Sequence, residues 1–285
     1  MFKKQLTIFA IITAFIFLGS RISEAQYLTP RPSPLQEVTQ KVGVSDVTIV
    51  YSRPGVKDRV IWGELVPYNK MWRPGANENT TFEISDNAMI EGKEIPAGKY
   101  SFFTIPAENE WTVIINKKSD HFGTSGYDEA NDVMRFTVKH AEDDFVERMR
   151  FDFEDLTDNS STIVLRWEKL RIPFGIEFNT QEIVLSNIES LSAKQPDNWN
   201  IPLSGATYIL SNDLDYQKGL TWAEASTNIE ENYWNTRIKA QLLKKLGKDE
   251  EANAELAKAV VLVAKMENQP FDYERIKSLQ DEWNK

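Results

Sequence analysis

Apolar and polar residues alternate one by one in several short segments of the first part of the chain. Met134, Phe136 and Val138, for example, are separated by charged or polar residues. The pattern recurs in residues 46–52, 111–116, 149–153 and 162–168. A period of two residues is typical of antiparallel strands that bury one face.

Turn signals separate these predicted strands. "IPAGKYSFFTIP" carries a Pro-Ala-Gly turn before an aromatic run, and "NEWTVIIN" is its expected hairpin partner. Many short strands without long intervening helices indicate an antiparallel β-sandwich or jelly-roll-like domain. We expect this domain to span residues 35–180.

The period changes after Phe178, and residues 181–285 are predicted to form a separate, smaller helical domain. The apolar pattern from Ile183 to Leu191 predicts a first helix that ends near Pro196, and further helices are expected over 202–214 and 217–231. A four-residue spacing predicts another helix over 234–246, with Asp249 capping the next helix after Gly247. "AQLLKKLGKDEEANAELAKAV" resembles the turn of a tetratricopeptide hairpin. Only about one such repeat is recognisable, so either a compact helical cap or a peptide-binding groove is compatible with it.

The first 25 residues have the three parts of a secretory signal peptide. Lys3 and Lys4 precede an apolar run, and the small residues Ser23 and Ala25 frame a cleavage site before Gln26. The run is too short for a typical membrane span, although a single anchor is the alternative. We therefore expect a periplasmic or secreted protein without stable membrane insertion, whose residues 26–34 form an extended, proline-containing leader.

Composition narrows the possible chemistry. The 285 residues include no cysteine, which excludes disulfides and thiolate chemistry. The net charge is −10, and it would become −12 once residues 1–25, with three basic residues and one acidic residue, were removed. Such a charge disfavours nucleic acid and anionic lipid as partners.

One long segment interrupts the alternation. Residues 51–85 read "YSRPGVKDRVIWGELVPYNKMWRPGANENTTFEIS" and are rich in Arg, Lys, Trp, Pro and Gly. Long ordered loops on a β scaffold often carry binding residues. Within this segment, "IWGELVPY" is expected to form a single helical turn.

This segment, together with "WTVIINK", "DVMRFTV" and "LRWEKLRIPFGIEF", resembles an exported bacterial family typical of Bacteroidetes, domain of unknown function 2911. The resemblance extends into the helical tail and covers nearly the whole chain after residue 25. The chain departs from the family pattern after "NKKSD", where His121-Phe122-Gly123 stands instead of Trp-Gly. The family implies the domain boundaries but no activity.

The loop supplies the candidate binding residues. Cationic and planar aromatic side chains together suit sugars, carboxylates or peptide termini, and directed polar groups add hydrogen bonds. The candidates are Arg53, Lys57, Arg59, Trp62, Trp72, Arg73, Asn77 and Glu78. In the alternative interpretation the loop is structural, its charges pair internally and its tryptophans fill one end of the sandwich.

Motifs for catalysis and metal binding are missing from the sequence. His121 and His140, the only histidines, lack the spacing of a zinc motif, and no nucleophile elbow, phosphate-binding loop or dinucleotide motif occurs. "EDD" at 142–144 lacks the spacing of a calcium loop and is expected to be a solvated turn. We expect neither a metal nor a cofactor.

The leading hypothesis is a non-enzymatic envelope protein that binds a small polar ligand or another envelope protein. The first alternative is a hydrolase with Glu78 as acid or base beside Arg73, for which a raised pKa of Glu78 would be the sign. The second alternative is a structural or chaperone-like envelope protein.

Overall fold

A computed structural model describes residues 29–120 and 122–283 of the protein. The predicted signal peptide, the first residues of the leader and His121 lie outside the described residues. The strands are β1 (Leu35–Val42), β2 (Ser45–Ser52), β3 (Thr81–Ile84), β4 (Ala88–Ile90), β5 (Lys93–Ile95), β6 (Gly98–Ile105), β7 (Glu110–Asn116), β8 (Asp132–Lys139), β9 (Ala141–Glu154) and β10 (Ser160–Phe178).

The strands form two antiparallel sheets that share one hydrophobic core. One sheet has the order β1-β2-β3-β6-β7-β8, and the other has the order β5-β4-β10-β9. Apolar side chains of both sheets, such as Trp111 of β7 and Trp167 of β10, belong to the same buried cluster. The predicted fold class, a β region followed by a helical region, is confirmed.

Local patterns in the sequence correspond to the observed strands. In β8, Met134, Phe136 and Val138 are buried while their neighbours are more exposed. The predicted hairpin is also present, because β6 pairs with β7 in a register that places Ser101 opposite Asn116.

Strand β10 contains an irregularity that exchanges its buried positions. The register with β9 shifts on both sides of Glu168, whose φ is 55°. Odd-numbered residues up to Trp167 face the core, and from Ile172 onward the even-numbered residues do so. A β-bulge produces this exchange, because one extra residue inverts the alternation. The bulge therefore positions Trp167 at the point where the strand bends.

Helices follow the last strand directly. They are α1 (Thr180–Lys194), α2 (Asn200–Ser211), α3 (Tyr216–Ile229), α4 (Tyr233–Lys245), α5 (Asp249–Val263) and α6 (Tyr273–Trp283). Neighbouring helices bury Leu203, Ile209, Leu242 and Ala252 in a cluster separate from the sandwich core. In the part of the chain that the structure describes, no helix combines the length and apolarity needed to cross a membrane.

Three local predictions were wrong. Asp249 is the first residue of α5 rather than its cap, and Lys248 holds the cap position without a side-chain hydrogen bond. Residues 142–144 belong to β9 instead of a turn, and "IWGELVPY" forms turns and isolated bridges rather than a helical turn. Helix α6 was not predicted.

Candidate functional site

The loop between β2 and β3, residues 53–80, is fastened to both sheets. Val56 donates its backbone N–H to Glu147 of β9 at 2.8 Å. Trp72 exchanges two backbone hydrogen bonds of 2.8 Å with Thr104 of β6. The loop also buries Ile61 in the core. These contacts satisfy much of its backbone, so it is an ordered end wall of the sandwich.

Two loop tryptophans pack against two tryptophans of the sheets. The ring of Trp62 lies 5.0 Å from that of Trp111 and 5.8 Å from that of Trp167, in edge-to-face contacts. Trp72 stacks on Trp167 at 5.9 Å, with the ring planes 14° apart. Edge-to-face and offset contacts are the favourable geometries for aromatic rings. The four rings form a single tryptophan cluster at this end of the sandwich.

The tryptophan cluster contains buried donors without acceptors. Among the described residues, the indole N–H groups of Trp62, Trp111 and Trp167 have no hydrogen-bond partner. In the edge-to-face contacts of Trp62, the edge of one ring meets the face of another. Such contacts are much weaker than a hydrogen bond from an indole N–H to an acceptor. A buried unsatisfied donor costs about 1–3 kcal/mol.

Two of the predicted binding residues, Arg53 and Glu78, fasten the loop to other parts of the chain. Arg53 donates from Nε to the carbonyl of Met149 at 2.8 Å, which ties the loop to β9. The Glu78 carboxylate lies 2.5 Å from Nη1 of Arg31 and accepts a hydrogen bond of 3.3 Å from the hydroxyl of Ser52. Both side chains hold the loop in place.

The electrostatics of Glu78 do not match those of a general acid. A hydrogen bond from its own backbone N–H and the neighbouring Arg31 lower the pKa of Glu78 below its usual value. The hydrolase alternative requires a raised pKa at this carboxyl group, as in a catalytic acid poised near neutral pH. No direct contact between Arg73 and Glu78 is present in the described part of the chain.

Arg73 belongs to the loop, and its side chain is half-buried. Its Nη2 donates to the carbonyl of Asn77 at 3.4 Å, while Nε and Nη1 have no partner among the described residues. Burial lowers the pKa of Arg73, and the nearby charge of Glu78 opposes that effect. The Asn77 side chain donates to the carbonyl of Ser33 at 3.3 Å.

A cavity of about 310 Å³ opens beside the loop. Its lining combines the side chains of Lys57 and Arg59 with the rings of Trp72 and Trp167 and the apolar side chain of Leu65. The leader also contributes to the lining through Pro32 and Ser33. We call this cavity the loop pocket.

The two cations of the loop pocket have no carboxylate partner among the described residues. Arg59 donates to the carbonyls of Gly55 at 2.5 Å and Val56 at 3.0 Å, which fixes its guanidinium against the loop backbone. Lys57 has a left-handed backbone with φ 49°, and only its main-chain N–H contacts Glu147, at 3.2 Å. Nζ of Lys57 and Nη1 of Arg59 have no hydrogen-bond partner among the described residues, so these two groups can bind an anion.

The structure brings three of the eight predicted residues to this pocket, namely Lys57, Arg59 and Trp72. Trp62 packs in the tryptophan cluster beneath it. The other four candidates, Arg53, Arg73, Asn77 and Glu78, do not line it.

Sequence reasoning missed Trp167, Leu65 and the leader residues. Trp167 lies about 100 positions further along the chain and had been counted only as an alternating strand residue. The closely spaced prolines of the leader were the available signal that this segment is extended and could reach the loop.

A larger cleft of about 780 Å³ lies between turns of the strand region and α1. It is lined by short polar, acidic and aliphatic side chains, with no basic or aromatic side chain. Several of its polar groups satisfy one another, as when Asn179 donates to Glu182 at 2.7 Å. The loop pocket carries the more distinctive chemistry.

No metal-binding cluster is present in residues 29–120 and 122–283. His140 contacts the backbone carbonyl of Glu108 through Nε2 at 2.8 Å, and its ring lies 6.5 Å from that of Trp111. This contact gives His140 a local structural role.

Comparison with known proteins adds a family but no activity. The profile described as "Protein of unknown function (DUF2911)" matches residues 33–176, which span the sandwich and the loop pocket. Neither the curated proteins nor the solved structures gave a significant match.

Proposed function

The chain belongs to the family described as "Protein of unknown function (DUF2911)", and we propose that this member is a non-catalytic binding protein for small organic anions. The observation that carries the proposal is that Lys57 and Arg59, which have no carboxylate partner among the described residues, line a pocket beside aromatic rings. Two cations without carboxylate partners, held in a concave site, favour a ligand of opposite charge.

Local charge supports an anionic ligand. The chain as a whole has a net charge of −10, yet the loop, residues 53–80, contains five basic and three acidic residues. On a protein with net negative charge, a local site of positive potential attracts small anions while the rest of the surface repels them.

The same residues favour an anion over a neutral sugar. Sugar binding relies on side chains that both donate and accept, and Asn77 and Glu78 were the candidates for that role. Asn77 donates to Ser33 and Glu78 binds Arg31, and neither lines the pocket. The charged side chains that line the pocket, Lys57 and Arg59, are pure donors with positive charge.

The setting of this binding is part of the proposal. We infer an exported bacterial protein of the Bacteroidetes type, whose residues 1–25 direct it to the periplasm or outside the cell. In this view the sandwich, residues 35–180, carries the ligand site. Residues 181–285 form a tetratricopeptide-like domain that could contact another envelope protein.

A thermal-shift screen tests the proposal. The purified protein is heated with benzoate, citrate, acetate and inorganic phosphate, with neutral sugars and with divalent metals, all at one ionic strength. A ligand at ~100 times its dissociation constant adds about 2.7 kcal/mol of stability, which raises the melting temperature visibly. We expect at least one organic anion to do so and the sugars to have no effect.

A variant localises any effect to the loop pocket. Lys57→Ala should remove the shift, whereas Lys139→Ala, an exposed lysine on β8 without an ion-pair partner in the described chain, should leave it intact. Stabilisation by neutral sugars alone, or an anion effect that persists in Lys57→Ala, would contradict the proposal.

A further inference from the structure

The size of the loop pocket limits its ligand. Its volume of about 310 Å³ lies at the lower end of the range for small-molecule sites. A molecule with a single ring fits such a space, whereas an oligosaccharide or a long peptide does not. The narrow fit also makes the shape of the ligand important for its affinity.

The apolar wall of the pocket presents the partly exposed ring of Trp72. This ring stacks on Trp167, with the ring planes 14° apart, and Trp167 itself is only 1% exposed. Leu65 contributes an aliphatic rim and is 45% exposed, so part of it is ready to be covered by a ligand. A planar apolar group buries more area against such a wall than a puckered or polar one.

The charged side of the pocket suits a carboxylate better than a phosphate. Arg59 offers a planar guanidinium whose orientation is fixed by the carbonyls of Gly55 and Val56. Because Nε and Nη2 already donate to these carbonyls, a carboxylate would bind at the remaining N–H groups of Nη1 and Nη2. Phosphate sites commonly add the N–H groups of a helix N-terminus, and residues 53–80 contain no helix. Lys57 adds a second positive charge on a flexible side chain.

From the volume of the loop pocket, its aromatic wall and its two positive charges, we propose that it recognises an aromatic carboxylate, a single planar ring bearing one carboxyl group. The carboxyl group binds Arg59 and Lys57, and the ring lies against Trp72, which is supported from the other side by Trp167. This inference rests on the proposed function and makes it specific by naming the class of organic anion.

Isothermal titration with matched small molecules tests the inference. Benzoate is compared with benzamide, which keeps the ring without the charge, with cyclohexanecarboxylate, which keeps the charge on a puckered ring, and with acetate and inorganic phosphate. We expect benzoate to bind at least about tenfold more tightly than each of the others, because only benzoate uses both sides of the pocket.

The outcomes distinguish the proposed function, anion binding, from the narrower inference that the anion is an aromatic carboxylate. If acetate, phosphate or cyclohexanecarboxylate binds as tightly as benzoate, anion binding stands and the aromatic carboxylate is the wrong class. If benzamide binds as tightly as benzoate, or if no anion binds, the proposed function fails as well.

A substitution of Leu65, at the rim of the pocket, gives an independent test and leaves both tryptophans in place. Leu65→Ala should weaken benzoate several-fold and leave acetate unchanged, since only the ring reaches the rim. Leu156→Ala, which removes a similarly exposed leucine outside the pocket, is the matched control. Equal binding of benzoate by both variants would place the ring elsewhere.

Discussion

The guanidinium of Arg31 lies 2.5 Å from the carboxylate of Glu78, and this contact joins the leader to the end of the long loop. The leader is held at further points, because Arg148 donates to the carbonyl of Pro32 at 3.1 Å and Asn77 donates to that of Ser33 at 3.3 Å. Pro32 and Ser33 consequently form one wall of the loop pocket.

The Arg31–Glu78 contact should weaken in acid. The pKa of Glu78 in the folded protein is lowered from its usual 4.5, so the contact stabilises the leader above pH 4.5 and is lost as pH falls through the lower, folded value. Nuclear magnetic resonance of the Glu78 carboxyl carbon and Arg31 Nε should show both titrating together below 4.5. In Arg31→Ala the carboxyl midpoint should move up towards 4.5, and a wild-type midpoint at or above 4.5 would refute this prediction.

Gly75 is required where the loop passes Arg73. Its φ is 147°, and an added Cβ would lie 2.9 Å from Oγ1 of Thr80 and 3.1 Å from Nη1 of Arg73. Gly75→Ala should lower the free energy of unfolding by more than about 1 kcal/mol. Gly92→Ala, with φ 73° and open space around its Cβ, isolates the backbone effect. Urea denaturation should show the larger loss in Gly75→Ala, and equal losses would mean that the space near Arg73 is unimportant.

Arg166 on β10 neutralises a group of carboxylates on β9. It pairs with Asp143, Asp152 and Glu154, and its side chain is only 14% exposed. Arg166→Ala leaves these carboxylates close together without their shared cation. We expect a loss of about 2 kcal/mol in the free energy of unfolding, below the cost of breaking a fully buried pair because the carboxylates are partly solvated.

The matched control for Arg166 is Arg150, which pairs with Asp152 at 2.8 Å but is 45% exposed. Arg150→Ala should cost less than about 1 kcal/mol in the same urea titration. If both variants lose equally little stability, the charges on this face of the sheet are independent surface pairs.

The sandwich and the helical region were predictable because they depend on local periodicity. Met134, Phe136 and Val138 identify their strand through alternation alone, and Gly247 marks a helix end through its backbone freedom. The bulge at Glu168 was not predicted, although the apolar residues change there from odd positions, ending at Trp167, to even positions from Ile172 onward.

The chemistry of the loop was predicted better than its geometry. The residue types of the loop indicated a cationic and aromatic site, and Lys57, Arg59 and Trp72 do line a pocket. Distant partners, such as Met149 for Arg53, decide which of the cations form hydrogen bonds within the protein. Contacts between residues so far apart in the chain leave no trace in a single sequence.

The central claim is that Lys57 and Arg59 bind an organic anion. The direct measurement is isothermal titration of benzoate, at constant ionic strength, into the wild type, into Lys57→Ala/Arg59→Ala and into the control Lys117→Ala/Lys139→Ala. The control removes the same two charges from exposed sites outside the pocket. The account predicts equal affinity for wild type and control and at least about tenfold weaker binding by the pocket variant. Equal binding by all three proteins, or no binding by the wild type, would contradict it.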